Sequence, residues 1–113
     1  MTTTTEETLR SVATGDTPVL ERLVAMNLDS LERSHLDPVT YHLVRLAALV
    51  AMEAGPVSYL INLEVASEAG MTLEQAQNAL IAIAPIVGSA RVAAAAGNVL
   101  RAYGLRVALE ESA

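Results

Sequence analysis

The chain is 113 residues with a formal charge of −6, and all seven of its basic residues are arginines set among thirteen carboxylates. Scattered cations of that kind do not make the clustered basic surface that a phosphate backbone requires, so nucleic acid is excluded as a partner. With no lysine there is no Schiff-base chemistry, and with no cysteine there is no disulfide, no thiolate nucleophile and no cysteine-based zinc site.

The size is that of one small domain with a single core. Hydrophobic residues make up 52% of the chain but aromatic ones only 3%, and alanine runs such as Ala93 to Ala96 favour close helix packing. A mean hydropathy of +0.39 implies more apolar surface than one small core can hide. Self-association follows as an expectation.

Met1 to Glu7 is Thr-rich and then acidic, lacking the basic flank and apolar run of a secretory signal. It reads as a frayed leader, and residues 1–16 as a flexible segment ahead of one helical domain over 17–113. Thr17-Pro18 opens the first helical pattern, with Val19, Leu20, Leu23, Val24, Met26, Asn27 and Leu31 on one stripe and an end near Ser34. Asp37-Pro38 starts the second: Asp accepts from free backbone N–H groups, and Pro needs no donor at the first helical position. This helix should run from Pro38 to about Glu53, with Val39, Leu43, Leu46, Ala47 and Val50 inward and Leu49 widening the face. It is apolar nearly all round and so central.

Gly55-Pro56 breaks the chain, and the short connection forces an antiparallel hairpin with the third helix, Val57 to Ala69. Gly70 takes the place of a left-handed C-terminal cap. Thr72 with Gln75 makes a capping box for the fourth helix, whose inward face is Leu73, Ala76, Leu80, Ile83 and Val87. Pro85 should kink or end it. Gly88-Ser89 restarts the chain into the fifth helix through Val92, Ala96, Val99 and Tyr103, and Gly104 precedes a last short segment, Leu105 to Glu111. The expected fold is all-α, a single domain of about five main helices completed by homo-oligomerisation. No stretch is apolar enough for a membrane span, since Met71 to Ala90 still holds Glu74, Gln75, Gln77, Asn78 and Pro85. The cytoplasm is the expected location.

Two stretches carry a family likeness. His42-Leu43-Val44-Arg45-Leu46-Ala47 is similar to Glu-Leu-(Val/Ala)-x-Leu-Ala. Ser58-Tyr59-Leu60-Ile61-Asn62, followed by Ala66, Ala69-Gly70-Met71-Thr72 and Glu74, is similar to Cys-x-x-x-His, Ala, Ala-Gly-x-Thr and Glu. On these residues the chain resembles the carboxymuconolactone decarboxylase and alkyl hydroperoxidase D superfamily. Counted back from Ala69-Gly70, the family's histidine falls on Asn62, its second cysteine on Ser58 and its first on Gly55. The relay glutamate falls on His42 if one residue of length difference is allowed before Gly55, and on Leu43 otherwise. The resemblance implies a helical homotrimer or hexamer with a pocket between helices at or near a subunit interface. The redox branch needs its cysteines, so thiol peroxidase chemistry is excluded; the decarboxylase branch lacks them, so a lyase is not.

His42 is the leading catalytic candidate, a proton shuttle titrating near neutral pH, or else a packed histidine within the bundle beside Leu46 and Leu49. Ser58 and Asn62, one turn apart, either hydrogen-bond a substrate carbonyl or satisfy each other and the backbone. Tyr59 and Tyr41 offer hydroxyls or serve as amphipathic interface residues. Arg91 and Arg45 either anchor a substrate carboxylate or form structural ion pairs between subunits, with Glu53 and Glu64 as anions for Arg91. The carboxylates lack metal-type spacing and the glycines make no phosphate loop, so no metal and no cofactor is expected. Three functional classes follow: a cofactor-independent lyase or isomerase on a small carboxylated or lactone-like molecule, a non-catalytic small-molecule binder, and a structural oligomer.

Overall fold

The computed structural model describes residues 4–14 and 18–104, which divide into two units, Met1–Leu36 and Asp37–Ala113. The described residues contain six helices and no strand. The first unit holds α1 (Thr5–Thr14) and α2 (Pro18–Ser34). α1 lies inside the stretch read from sequence as a leader. Its start is a capping box: the Glu7 N–H donates to Thr4 Oγ1 at 3.1 Å and the Thr4 N–H to Glu7 Oε2 at 3.3 Å. Arg10 pairs with Glu6 one turn earlier, at 2.9 Å. α2 has the expected bounds and ends on His35 in a left-handed conformation, φ 58°. Of its expected apolar stripe, Leu31 is half-buried and Met26 exposed, while the side chains of Val19, Leu20, Leu23 and Val24 lie outside what is described. The segment expected over 105–111 is likewise outside the described residues. The domain boundary drawn from composition, after residue 16, is a different line from the contact boundary at Leu36.

The second unit is built from α3 (Pro38–Ala51), α4 (Pro56–Glu68), α5 (Leu73–Val87) and α6 (Ser89–Ala102). Asp37 caps α3 as expected, its Oδ2 accepting from the Thr40 N–H at 3.0 Å and its Oδ1 from the Thr40 hydroxyl at 2.6 Å. Those bonds hold the Asp37 carboxyl below its ordinary pKa, the Thr40 hydroxyl contributing most. α3 packs on α4, α5 and α6, but α6 likewise packs on the other three, so the central place expected for α3 is shared. The helices therefore run around the bundle in the order α3, α4, α6, α5. The core joins Leu46 and Val50 of α3 to Tyr59, Leu63 and Ala66 of α4, Ala76 and Leu80 of α5, and Ala95 and Val99 of α6.

Two helix ends share one device. After α4, the Met71 N–H bonds Ala66 O and the Gly70 N–H bonds Ser67 O, both at 3.0 Å, with Gly70 at φ 102° as the left-handed residue. After α3 the same pair of bonds runs from Ala54 to Leu49 O and from Glu53 to Val50 O, but the left-handed residue is Glu53, φ 55°. A non-glycine in that region costs about 1–2 kcal/mol. The chain thus turns at Glu53, ahead of the Gly55-Pro56 pair that was expected to end the helix. Thr72 and Gln75 form the expected capping box of α5, with reciprocal bonds of 3.1 and 2.9 Å. Pro85 neither ends nor precedes the end of α5 by much: the helix continues to Val87, and Gly88 at φ 92° turns the chain into α6. The Tyr103 hydroxyl donates to Met71 O at 3.3 Å, fastening the end of α6 to the α4–α5 turn.

Candidate functional site

Helical spacing on α3 puts Tyr41, His42 and Arg45 within one turn of each other, and the hairpin brings Asn62 of α4 opposite them. The Arg45 guanidinium donates from Nη1 to the Tyr41 hydroxyl at 3.0 Å and from Nη2 to Asn62 Oδ1 at 2.9 Å, and lies 5.2 Å from the Tyr41 ring centre. Asn62 Nδ2 in turn donates to the Ser58 backbone carbonyl at 2.8 Å. The orientation of the Asn62 amide follows from its partners, because arginine can only donate and a backbone carbonyl can only accept. Arg45 stands six residues before the end of α3 and Asn62 six after the start of α4, the symmetric pairing of an antiparallel hairpin.

His42 is 8% exposed and meets the Tyr41 ring edge-on at 5.2 Å. Burial pushes its pKa below the ordinary value, and the neighbouring Arg45 cation pushes the same way. The imidazole is therefore neutral at pH 7 and has a lone pair with which to take a proton. Among the described residues its side chain makes no hydrogen bond.

Five of the candidates read from sequence, Tyr41, His42, Arg45, Ser58 and Asn62, thus fall in one polar cluster. Ser58 enters it through its backbone carbonyl. Tyr59 and Arg91 lie elsewhere. A residue of an α-helix is turned by about 100° from its neighbour, so Tyr59 faces away from Ser58 and into a separate cavity of about 130 Å³ that Arg91 also lines. Arg91 Nε lies 3.4 Å from Glu53 Oε1, one of the anions named for it, within the same chain. It also donates to Val87 O at 3.3 Å, satisfying a carbonyl at the end of α5 that the helix cannot. Sequence reasoning did not single out Asn98, which lines this cavity with Arg91. Its signal was its spacing: seven residues from Arg91, two turns along the same face.

Two open apolar clefts also lie on the surface of this unit. One, of about 340 Å³, lies between α5 and α6 beside Leu80, Ile81, Val92 and Val99. The other, of about 480 Å³, lies between α3 and α5 beside Leu43, Val44, Ala79 and Ile83. His42 lines neither of these, nor the Tyr59 cavity. Among the described residues no three His, Asp or Glu side chains gather as a metal site would require, and no helix is long and apolar enough to cross a membrane.

The family model of the carboxymuconolactone decarboxylase family matches residues 17–101. The chain belongs to that family. No curated protein and no solved structure matches it. The helical bundle agrees with the family assignment, and the cluster on α3 and α4 occupies the positions on which the family resemblance had been drawn. This carboxymuconolactone decarboxylase family chain contains no cysteine, so it holds no thiol to carry peroxide reduction.

Proposed function

We propose that the chain is a cofactor-independent lyase or isomerase of the carboxymuconolactone decarboxylase family, acting on a small carboxylated or lactone-like molecule as a cytoplasmic homotrimer or hexamer. The observation that carries this reading is the placement of a buried, neutral His42 beside Arg45, a cation tied down by Tyr41 and Asn62. Arginine has five N–H donors, of which these two bonds use two. The remaining donors suit a substrate carboxylate, which would then lie against the imidazole. A carboxylate bound there favours the imidazolium, so docking and proton uptake at His42 reinforce one another. The proton moves to or from the carbon next to the carboxylate, while Tyr41 and Asn62 keep the arginine in place.

A non-catalytic binding or purely structural oligomer is the second reading, favoured by the mutual satisfaction of Arg45 and Asn62, which a packed structural network would also show. Carboxylate binding at Arg45 separates from a purely structural role in an NMR experiment on the His42 ring protons, titrated with pH in the absence and presence of propanoate, and turnover then separates the lyase from a binder. The lyase reading expects the midpoint to rise when propanoate is bound and the rise to vanish in Arg45→Gln. An unmoved midpoint sinks it. In a turnover assay on small carboxylated lactones, His42→Gln should lose on the order of 10²–10⁴ in rate with oligomer size unchanged.

A further inference from the structure

We propose that the cavity between the end of α3, the start of α4 and the start of α6 is a second binding site, for a small uncharged carbonyl compound held by Tyr59 and Asn98. The site is independent of the His42 cluster. His42 and Val50, a wall of the cavity, stand eight positions apart on α3, which at 1.5 Å per residue is about 12 Å.

Tyr59 is the main observation. It is 2% exposed and lines the cavity, yet its hydroxyl bonds no described residue. No fully buried side-chain nitrogen or oxygen among the described residues lacks a partner. The small accessible part of Tyr59 therefore includes its hydroxyl, and Tyr59 is one of the residues that line the cavity. A tyrosine hydroxyl this deep ordinarily has a partner. Burial raises its pKa and keeps the proton on, so it acts as a donor. Asn98 adds a second donor: its Oδ1 accepts from Arg101 Nη1 at 3.3 Å, which leaves its Nδ2 hydrogens. A carbonyl oxygen, with two lone pairs, matches two donors.

Charge and size narrow the class further. Arg91 and Glu53 pair at 3.4 Å beside the cavity, so its lining carries no net charge to draw in an ion, which suits an uncharged ligand. The volume of about 130 Å³ is close to that of an engineered cavity that admits benzene, which limits the ligand to about six heavy atoms. Val50, Ala54 and Ala95 supply the apolar wall for its carbon skeleton.

The test is an amide NMR titration of the full chain with two probes of equal heavy-atom count, cyclopentanone and butanoate. Cyclopentanone should give saturable shifts at the Tyr59, Ala94 and Ala95 amides, and butanoate should give none there. Tyr59→Phe should weaken cyclopentanone binding by up to about tenfold, the worth of one neutral hydrogen bond. Ala94→Leu, a change at an exposed position that fills the cavity, should abolish binding. The proposal is overturned if cyclopentanone gives no saturable shift, if butanoate binds equally well at those amides, or if folded Ala94→Leu binds as the parent does.

Discussion

At the level of single residues, His42 links burial to pH. Its folded pKa lies below 6.5, the value of the unfolded chain, so in the window between them the unfolded state binds more protons than the native one. The stability His42 contributes is present above pH 6.5 and is lost as pH falls through the folded value. Thermal melts between pH 7 and 5 should show the parent losing more stability than His42→Gln; equal slopes would mean that the imidazole titrates as if exposed. Asn62 has a different consequence. Asn62→Ala removes the acceptor of a half-buried arginine N–H, and denaturant unfolding should report a loss of about 1–3 kcal/mol. The burial of His42 was legible, because Leu46 and Leu49 share its side of α3. The split between Ser58 and Tyr59 was not read, although it follows from adjacency on a helix.

Among elements, the turns decide more than the helix interiors do. At Gly70 an added Cβ would come no nearer than 3.9 Å to Val39 Cγ2, so space is available and the obstacle is the backbone at φ 102°. Gly70→Ala should therefore cost about 1–2 kcal/mol by calorimetry. Thr72→Ala, which removes half of the α5 capping box, should cost about 1 kcal/mol. Both devices were readable from Ala69-Gly70-Met71-Thr72, since their side-chain requirements are local. The turn at Glu53 was not, because glutamate carries no preference for a left-handed conformation; there the hydrogen bonds closing α3 outweigh propensity. The α1 capping box escaped for a similar reason. Thr4 and Glu7 have the right spacing, but they sit in a Thr-rich run without the apolar periodicity by which a helix is usually recognised.

For the whole molecule, α5 exposes Ile81 and Ile86, the latter 84% accessible, beside the clefts that flank it on both sides. Water-facing isoleucines on a helix between two apolar clefts are what self-association would cover. Light scattering at micromolar concentration should give a mass several times 11.9 kDa, and the double change Ile81→Glu with Ile86→Glu should reduce it; a parent that remains monomeric would refute the oligomer. The apolar excess behind this expectation was visible in composition. How the helices share it was not: α4 exposes Val57, Leu60, Ile61 and Val65, and α5 exposes Leu73, Ile81 and Ile86.

The order α3, α4, α6, α5 around the bundle also sets a timetable for synthesis. α6 is the last of the four to be made, yet it touches the other three, and its final turn is tied back to Met71 by Tyr103. Until Tyr103 has left the ribosome, the α3–α4 hairpin and α5 have no common neighbour to cover Tyr59, Leu63 and Leu80. The surface of α3, α4 and α5 that α6 covers therefore stays open until α6 emerges, and the bundle can close only after that.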